Sequence, residues 1–385
     1  MFKLKKILIL SFRNPYNYGA ELQVFALCKK LRMMGYDAET LNLARPFFDT
    51  DAIRSRDLAP IFNNSVKDRF IEQLRFFKRR VTLMIHHGRS KIKIFNSNSF
   101  HCQYGKFTQR RFRCFDELYE TKWDYTHYIV GSDQVWNFEY PFSLDPYFLA
   151  FVKNGKKIAY SASIGHAFLP PSLSPYYRSG LQQFDAISMR EMQGSRIVQE
   201  LLGKEVQTTL DPTLLITPDE WRTIFNIESE PNHTIVIYLR SYCSYAIKLA
   251  KEIALRKGVK KILYISSEVS RAFHDPDVDC RFDISAPEFV TLISNAEFVI
   301  TNSFHGTAFS VNFGKPFFTI VNERMKTSSR FYSLLEQTDL LDRICHEGTP
   351  MNQIVDTPID GDKIETRLET LRSISIKYLE DAICL

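Results

Sequence analysis

Two patterns alternate along most of the chain, and their alternation limits the fold more than any single residue does. Short apolar runs rich in β-branched residues recur, among them "KILILSF" at 6–12, "DAETLNL" at 37–43 and "KKIAYSASIG" at 156–165. Helical stretches separate them: in "ELQVFALCKKLRMMGY", Leu22, Phe25, Ala26 and Leu31 fall at helical spacing, and Gly35 suits a helix end. Strand, helix, strand in that order requires a crossover, and crossovers build parallel sheets. At 385 residues the chain is long enough for two such units.

The series runs twice. "YIVGSDQVWN" reads as strand and tight loop, "FDAISMREMQGSRIVQELLG" as strand then helix, and "VQTTLDPTLLI" as strand and Pro-fixed turn. "NIESEPNHTI" at 226–235 is polar, contains a proline, has no period and reads as a linker. "TIVIYLR", "KKILYIS", "EFVITNS" and "PFFTIV" then supply strands with helical segments between them. The expected domains are 1–225, carrying a basic helical insertion at 66–113, and 232–345, followed by a helical tail at 346–385. The fold class is α/β, two doubly wound domains facing a cleft. Ligands of such sheets bind beyond the carboxyl ends of the strands.

Charge is unevenly spread. Thirteen Lys/Arg against Asp68 and Glu72 give 66–113 a charge of +11, which leaves −5 for the rest of a chain whose net charge is +6. Within it, Phe70, Leu74, Phe77, Val81 and Ile85 share one helical face, with Lys78, Arg79 and Arg80 largely off it. Such a helix either packs on a core or lies on an anionic membrane surface. No apolar run is long enough to span a bilayer. The seven cysteines are scattered and form no CxxC pair, which argues against a disulfide framework or zinc site and for a reduced, cytoplasmic protein. No nucleic-acid recognition pattern accompanies the basic stretch.

The strand-end loops hold the candidate site residues. In "VITNSFHGTAFSVNFGKPFF", His305 stands where a strand hands over to a helix, beside Asn302, Ser303, Gly306 and Thr307. The amides of Gly306 and Thr307 are expected to be free for an anion. His305 reads either as an acid–base group or as a structural histidine. Arg190, at the end of "AISMR", can fork onto a carboxylate or phosphate, or pair with Glu191 or another acid. Asn17, Tyr18 and Gly19 lie in the first β-α loop, and Ser132, Asp133 and Gln134 follow "YIVG". Ser163 ends "YSAS", and Arg324, Lys326 and Arg330 follow "PFFTIV". Asp211-Pro212 reads as a structural turn. No P-loop, GxSxG, HExxH or zinc spacing is present.

Taken together and in order, "NPYNYGAELQVFAL", "YIVGSDQVWN", "YSASIG", "SMREMQGSRIV", "LDPTLLI" and "ITNSFHGTAFSVNFGKPFF" resemble the polysaccharide pyruvyl transferase family over about residues 6–335. The resemblance implies two Rossmann-like halves, as in B-type glycosyltransferases. It implies phosphoenolpyruvate as donor, a sugar hydroxyl pair as acceptor and a cyclic pyruvate ketal as product, with no metal or redox cofactor. Lipid-linked acceptors, including polyprenyl-diphosphate carriers at the inner membrane face, would suit the basic segment. The family's strand-end arginine matches Arg190 and its histidine before glycine matches His305, whereas an arginine found two positions before that histidine in many relatives is Ser303 here. Two other readings stay open: a nucleotide-sugar glycosyltransferase of the same fold class, and a non-catalytic glycan-binding module.

Overall fold

The structure is a computed structural model that describes residues 5–44, 87–140, 142–230, 232–267, 273–322 and 329–385. The predicted helix at 69–85 lies outside these residues. Two six-stranded sheets form, each wholly parallel. The first has the order β2-β1-β3-β4-β5-β6, with β1 Lys6–Leu10, β2 Asp37–Thr40, β3 His127–Val130, β4 Lys156–Ala162, β5 Ala186–Met189 and β6 Gln207–Thr208. The second has the order β12-β11-β10-β7-β8-β9, with β7 Thr234–Leu239, β8 Lys261–Ser266, β9 Asp279–Arg281, β10 Phe298–Thr301, β11 Phe317–Val321 and β12 Ile344–His346.

The apolar runs explain the central strands. Ile9 sits opposite Ile129, and Ile300 opposite Ile237. All four are fully buried, because helices cover both faces of each sheet. Each strand order reverses once, between β1 and β3 in the first sheet and between β7 and β10 in the second. Loops diverge at such a reversal and open a crevice. Residues 11–19 and 131–134 therefore flank one crevice, and Arg240 and Asn302–His305 flank the other.

The halves are held together by packing as well as by the linker. The helix Tyr18–Met33 lies on the helix Ala286–Ser294, with the Tyr18 ring stacked on Phe289 at 4.9 Å. One continuous apolar cluster joins Leu22, Phe25 and Trp221 of the first half to Phe289 and Phe309 of the second. The helix His87–Tyr104, from the basic insertion, bridges the same seam. Its Lys93 Nζ donates to the Tyr18 hydroxyl and to the Ser266 carbonyl (3.2 Å), and its Asn96 donates to the Asp283 carbonyl at 2.5 Å. Burial, with Arg240 nearby, pushes the Lys93 ammonium down to about 7.

The last helix, Gly361–Cys384, crosses back over the first half. Arg372 donates to the Leu214 carbonyl (2.8 Å) and to Asn312 Oδ1 (2.8 Å), and the Tyr378 hydroxyl donates to the Ala159 carbonyl (2.9 Å). At the helix end, the Ile383 carbonyl accepts from Lys5 Nζ at 2.5 Å.

Candidate active site

Arg190 is the first residue beyond β5, so the end of the strand delivers its side chain into the cleft. Its side chain is 1% exposed and lies between two carboxylates, with Nη2 3.3 Å from Asp133 Oδ1 and Nη1 3.0 Å from Asp211 Oδ2. Burial works against the charge of this guanidinium, but Asp133 and Asp211 outweigh it and raise its pKa. Burial likewise works against both carboxylates. Arg190, then His305 and Arg330, hold Asp133 below its usual range, and His305 and Arg190 hold Asp211 well below it. A buried cation between two buried anions is stable only as a set.

Asp211 forms the structural turn read from the sequence and has a second role that the sequence did not show. Its Oδ1 caps the following helical turn by accepting from the Thr213 amide at 3.0 Å, as an Asp-Pro turn predicts. Its Oδ2, however, accepts from Arg190 and from Ser132 Oγ (3.1 Å) and lies 3.6 Å from His305 Nε2. One carboxylate thus ties the loops after β3, β5 and β10 together.

His305 comes from the second half and reaches into the first. It is 3% exposed, and its ring lies against Gly19. A Cβ on residue 19 would fall 2.0 Å from His305 Cγ, so only glycine lets the imidazole in. Phe304 lies beneath two arginines. The Arg190 guanidinium is 4.5 Å from its ring centroid and that of Arg330 is 5.8 Å away. Burial and the nearby Arg190 push the Arg330 pKa down to about 10, so an anion bound beside Arg330 would favour its charged form.

The other predicted residues divide between support and lining. Ser132 is fully buried; its Oγ donates to the Ser161 carbonyl (2.8 Å) and to Asp211, so it orients the carboxylate. Ser163 Oγ donates to Glu191 Oε1 at 2.7 Å. Asn302 joins the two crevice loops of the second sheet, accepting from the Arg240 amide (2.7 Å) and donating to the Ser241 carbonyl (2.8 Å). Tyr18 faces the seam between the halves. Lys326 and Arg324 lie outside the described residues.

The amides of Gly306 and Thr307, expected to be free, are used inside the helix Phe304–Asn312. Gly306 N donates to Ser303 Oγ (3.4 Å) and Thr307 N to the Ser303 carbonyl (3.0 Å). Ser303 is the N-cap, which occupies the donors an anion would otherwise find. Thr307 is fully buried and hydrogen-bonds Thr319.

Among the described residues, buried polar atoms around the cleft without a hydrogen-bond partner include Asn17 Oδ1, Gln134 Nε2, Tyr238 Oη and His305 Nε2, while Arg190 Nε and Glu191 Oε2 face each other as an ion pair at 3.9 Å. Buried groups of this kind are normally satisfied, and a cluster of exceptions marks where a ligand belongs. Arg240 was not anticipated from sequence. It follows β7, and its guanidinium donates to the Tyr16 carbonyl of the opposite half at 2.7 Å. Its strand-end place beside "EFVITNS" was the available signal.

The paired parallel sheets and the charged strand ends between them define a two-domain protein of the B-type glycosyltransferase architecture. Solved structures similar to it are S. aureus MnaA in a UDP co-structure (TM-score 0.51, 11% identity, 99% of this chain and 98% of that one), the spinosyn forosaminyltransferase SpnP (0.46, 11%, 100% and 100%) and the UDP-GlcNAc 2-epimerase of Neisseria meningitidis (0.43, 9%, 97% and 100%). At these identities the likeness concerns fold alone. No curated protein matches the chain in sequence. The chain belongs to the polysaccharide pyruvyl transferase family, whose model matches residues 17–324, and it is a transferase.

Proposed function

We propose that the cleft transfers a pyruvyl group from phosphoenolpyruvate to a sugar of a polysaccharide precursor and closes it into a cyclic ketal. One observation carries this reading: two arginines, Arg190 and Arg330, share the Phe304 ring, with His305 and its Asp211 partner adjoining. Phosphoenolpyruvate carries a phosphate and a carboxylate, and a pair of guanidiniums matches two anionic groups. In this reading Arg330 supplies the second cation, while Ser303 is committed to capping.

The chemistry then follows from charge. His305 delivers a proton to the methylene carbon, with Asp211 facing the imidazolium. C2 becomes electrophilic and a sugar hydroxyl adds to it, losing its proton. The C2–O bond to phosphate breaks, inorganic phosphate leaves with the bonding pair, and a second hydroxyl closes the ketal. The reading invokes neither metal nor redox cofactor. Thermal unfolding tests donor choice. Phosphoenolpyruvate at millimolar concentration raises the midpoint, and nucleotide sugars do not. A shift with UDP-sugars alone identifies a nucleotide-sugar transferase instead.

We also place the reaction on the cytoplasmic side, with a lipid-linked acceptor and peripheral contact through the basic insertion. On the helix His87–Tyr104, Ile92 and Phe95 are exposed (38% and 70%) beside exposed Lys91. Apolar side chains next to cations suit an anionic lipid surface. No helix among the described residues is long and apolar enough to cross a membrane. Flotation with vesicles containing phosphatidylglycerol should carry the protein upward at low salt. Protein left at the bottom of the gradient removes the membrane contact.

A further inference from the structure

His305 crosses from the second half into the first, so its place depends on how the two halves are registered. Its ring is seated on Gly19, in the first turn of the helix Tyr18–Met33. The N-cap of that helix, Asn17, makes no side-chain capping bond. Contacts along the seam brace the turn instead. Arg240 donates to the Tyr16 carbonyl at 2.7 Å. The Tyr18 ring lies on Phe289 (4.9 Å, 13° between planes) and 5.9 Å from the ring of Tyr238.

Lys93 joins these contacts. Its Nζ lies 4.4 Å from the Tyr18 ring centroid, donates to the Tyr18 hydroxyl and donates to the carbonyl of Ser266, the last residue of β8, at 3.2 Å. One amine thus bonds the residue before Gly19 to a strand end of the second sheet. Besides Tyr18, the titratable groups facing it are Arg240, Asp283 and Cys280, and among the described residues no carboxylate pairs with it. Burial and Arg240 outweigh Asp283 and Cys280, which holds the ammonium well below its ordinary range. A methionine would fill the same space without the cost of burying a charge. What the amine adds is the pair of bonds.

Neighbouring Cα atoms keep a fixed spacing of about 3.8 Å, so a shift of Tyr18 carries Gly19 with it. The imidazole is pressed on the Gly19 backbone, and a shift of Gly19 therefore changes its 3.6 Å approach to Asp211. We propose that Lys93 is a positioning residue for His305: by tying Tyr18 to the end of β8 it fixes Gly19, and through Gly19 the imidazole. Lys93 acts through these neighbours and not on the donor. The proposal rests on the pyruvyl-transfer reading only for its turnover readout, since the place of His305 can be followed without any substrate.

Lys93→Met and Tyr18→Phe test it on the full chain. The first keeps an apolar stem without the amine, and the second keeps the ring on Phe289 without the acceptor hydroxyl. In protein carrying isotope-labelled histidine, the imidazole NMR signal that disappears in His305→Gln identifies His305. That signal should move or broaden in both variants with no ligand present. The kcat for phosphate release from phosphoenolpyruvate should fall about tenfold to a hundredfold, the usual penalty for misplacing a reacting group by a fraction of an ångström to an ångström. The phosphoenolpyruvate thermal shift should stay close to that of the wild type, because Arg190 and Arg330 are untouched. The double variant should lose little more than Lys93→Met alone, since both substitutions break one link. An unmoved His305 signal in both folded variants overturns the proposal, and losses that multiply in the double variant overturn the route through Tyr18. Should Lys93→Met fail to fold, Tyr18→Phe decides alone. A wild type with neither phosphate release nor the donor shift overturns the donor reading only, and the His305 signal then decides this proposal by itself.

Discussion

Replacing His305 with glutamine should cut turnover of phosphoenolpyruvate by a factor of about 10² to 10⁴, the usual contribution of a positioned acid–base group. The residue is 3% exposed, sits 3.6 Å from Asp211 and is given its space by Gly19. Glutamine retains a planar polar end of similar reach but cannot carry the proton. The donor should still bind, because Arg190 and Arg330 remain in place, so its thermal shift should stay close to that of the wild type. Phosphate release measured beside that shift separates chemistry from binding. Near-normal release in a folded variant sinks the assignment of His305 to proton transfer.

Replacing Arg190 has a different character, since it removes the cation between Asp133 and Asp211. Arg190→Met should destabilise the fold by about 3–5 kcal/mol at neutral pH, the cost of leaving buried charges unpaired. Arg190→Lys keeps a charge without the fork, so it should cost less stability and still lose donor affinity. The pH dependence gives the sign. In the wild type both carboxylates titrate below the usual Asp range, near 3.9. They contribute stability above that value, and the contribution is lost as pH falls through their folded pKa values. Without Arg190, burial pushes Asp133 upward while His305 and the Thr213 amide still hold Asp211 down, so the variant regains stability as acid protonates Asp133. Urea unfolding at pH 7.5 and pH 5 should show the stability gap narrowing at the lower pH. A gap of the same size at both pH values would falsify the electrostatic account.

Much of the fold was legible because buried parallel strands leave long apolar runs. All the strands read from the sequence are present, from Lys6–Leu10 to Phe317–Val321. The short edge strands β9 and β12, three residues each, went unread because an edge buries little and needs no such run. Arg190 and His305 were legible because each stands where an apolar strand ends. Asp211 was hidden by its own local logic. Asp before Pro predicts a cap, and the cap exists, but its second oxygen bonds an arginine 21 residues away that no local pattern announces. Ser303 stands where many relatives carry an arginine, and its own task, capping the helix Phe304–Asn312, is visible only in the structure. Lys93, one of thirteen basic residues in a segment that reads as packed on a core or lying on an anionic membrane, is 2% exposed and bonded to both halves. A charge run records composition, and only packing decides which of its members are withdrawn from water.

The return of the last helix has a consequence for how the molecule holds its shape. Because Gly361–Cys384 leaves the second half, lies along the first and finishes on Lys5, the stretch around 226–233 is only one of several fastenings between the halves. The chain is closed like a buckled strap, with residues near its two ends meeting on the first sheet's side. Severing that stretch should leave the two pieces clasped through the contacts of Arg372, Tyr378 and Ile383.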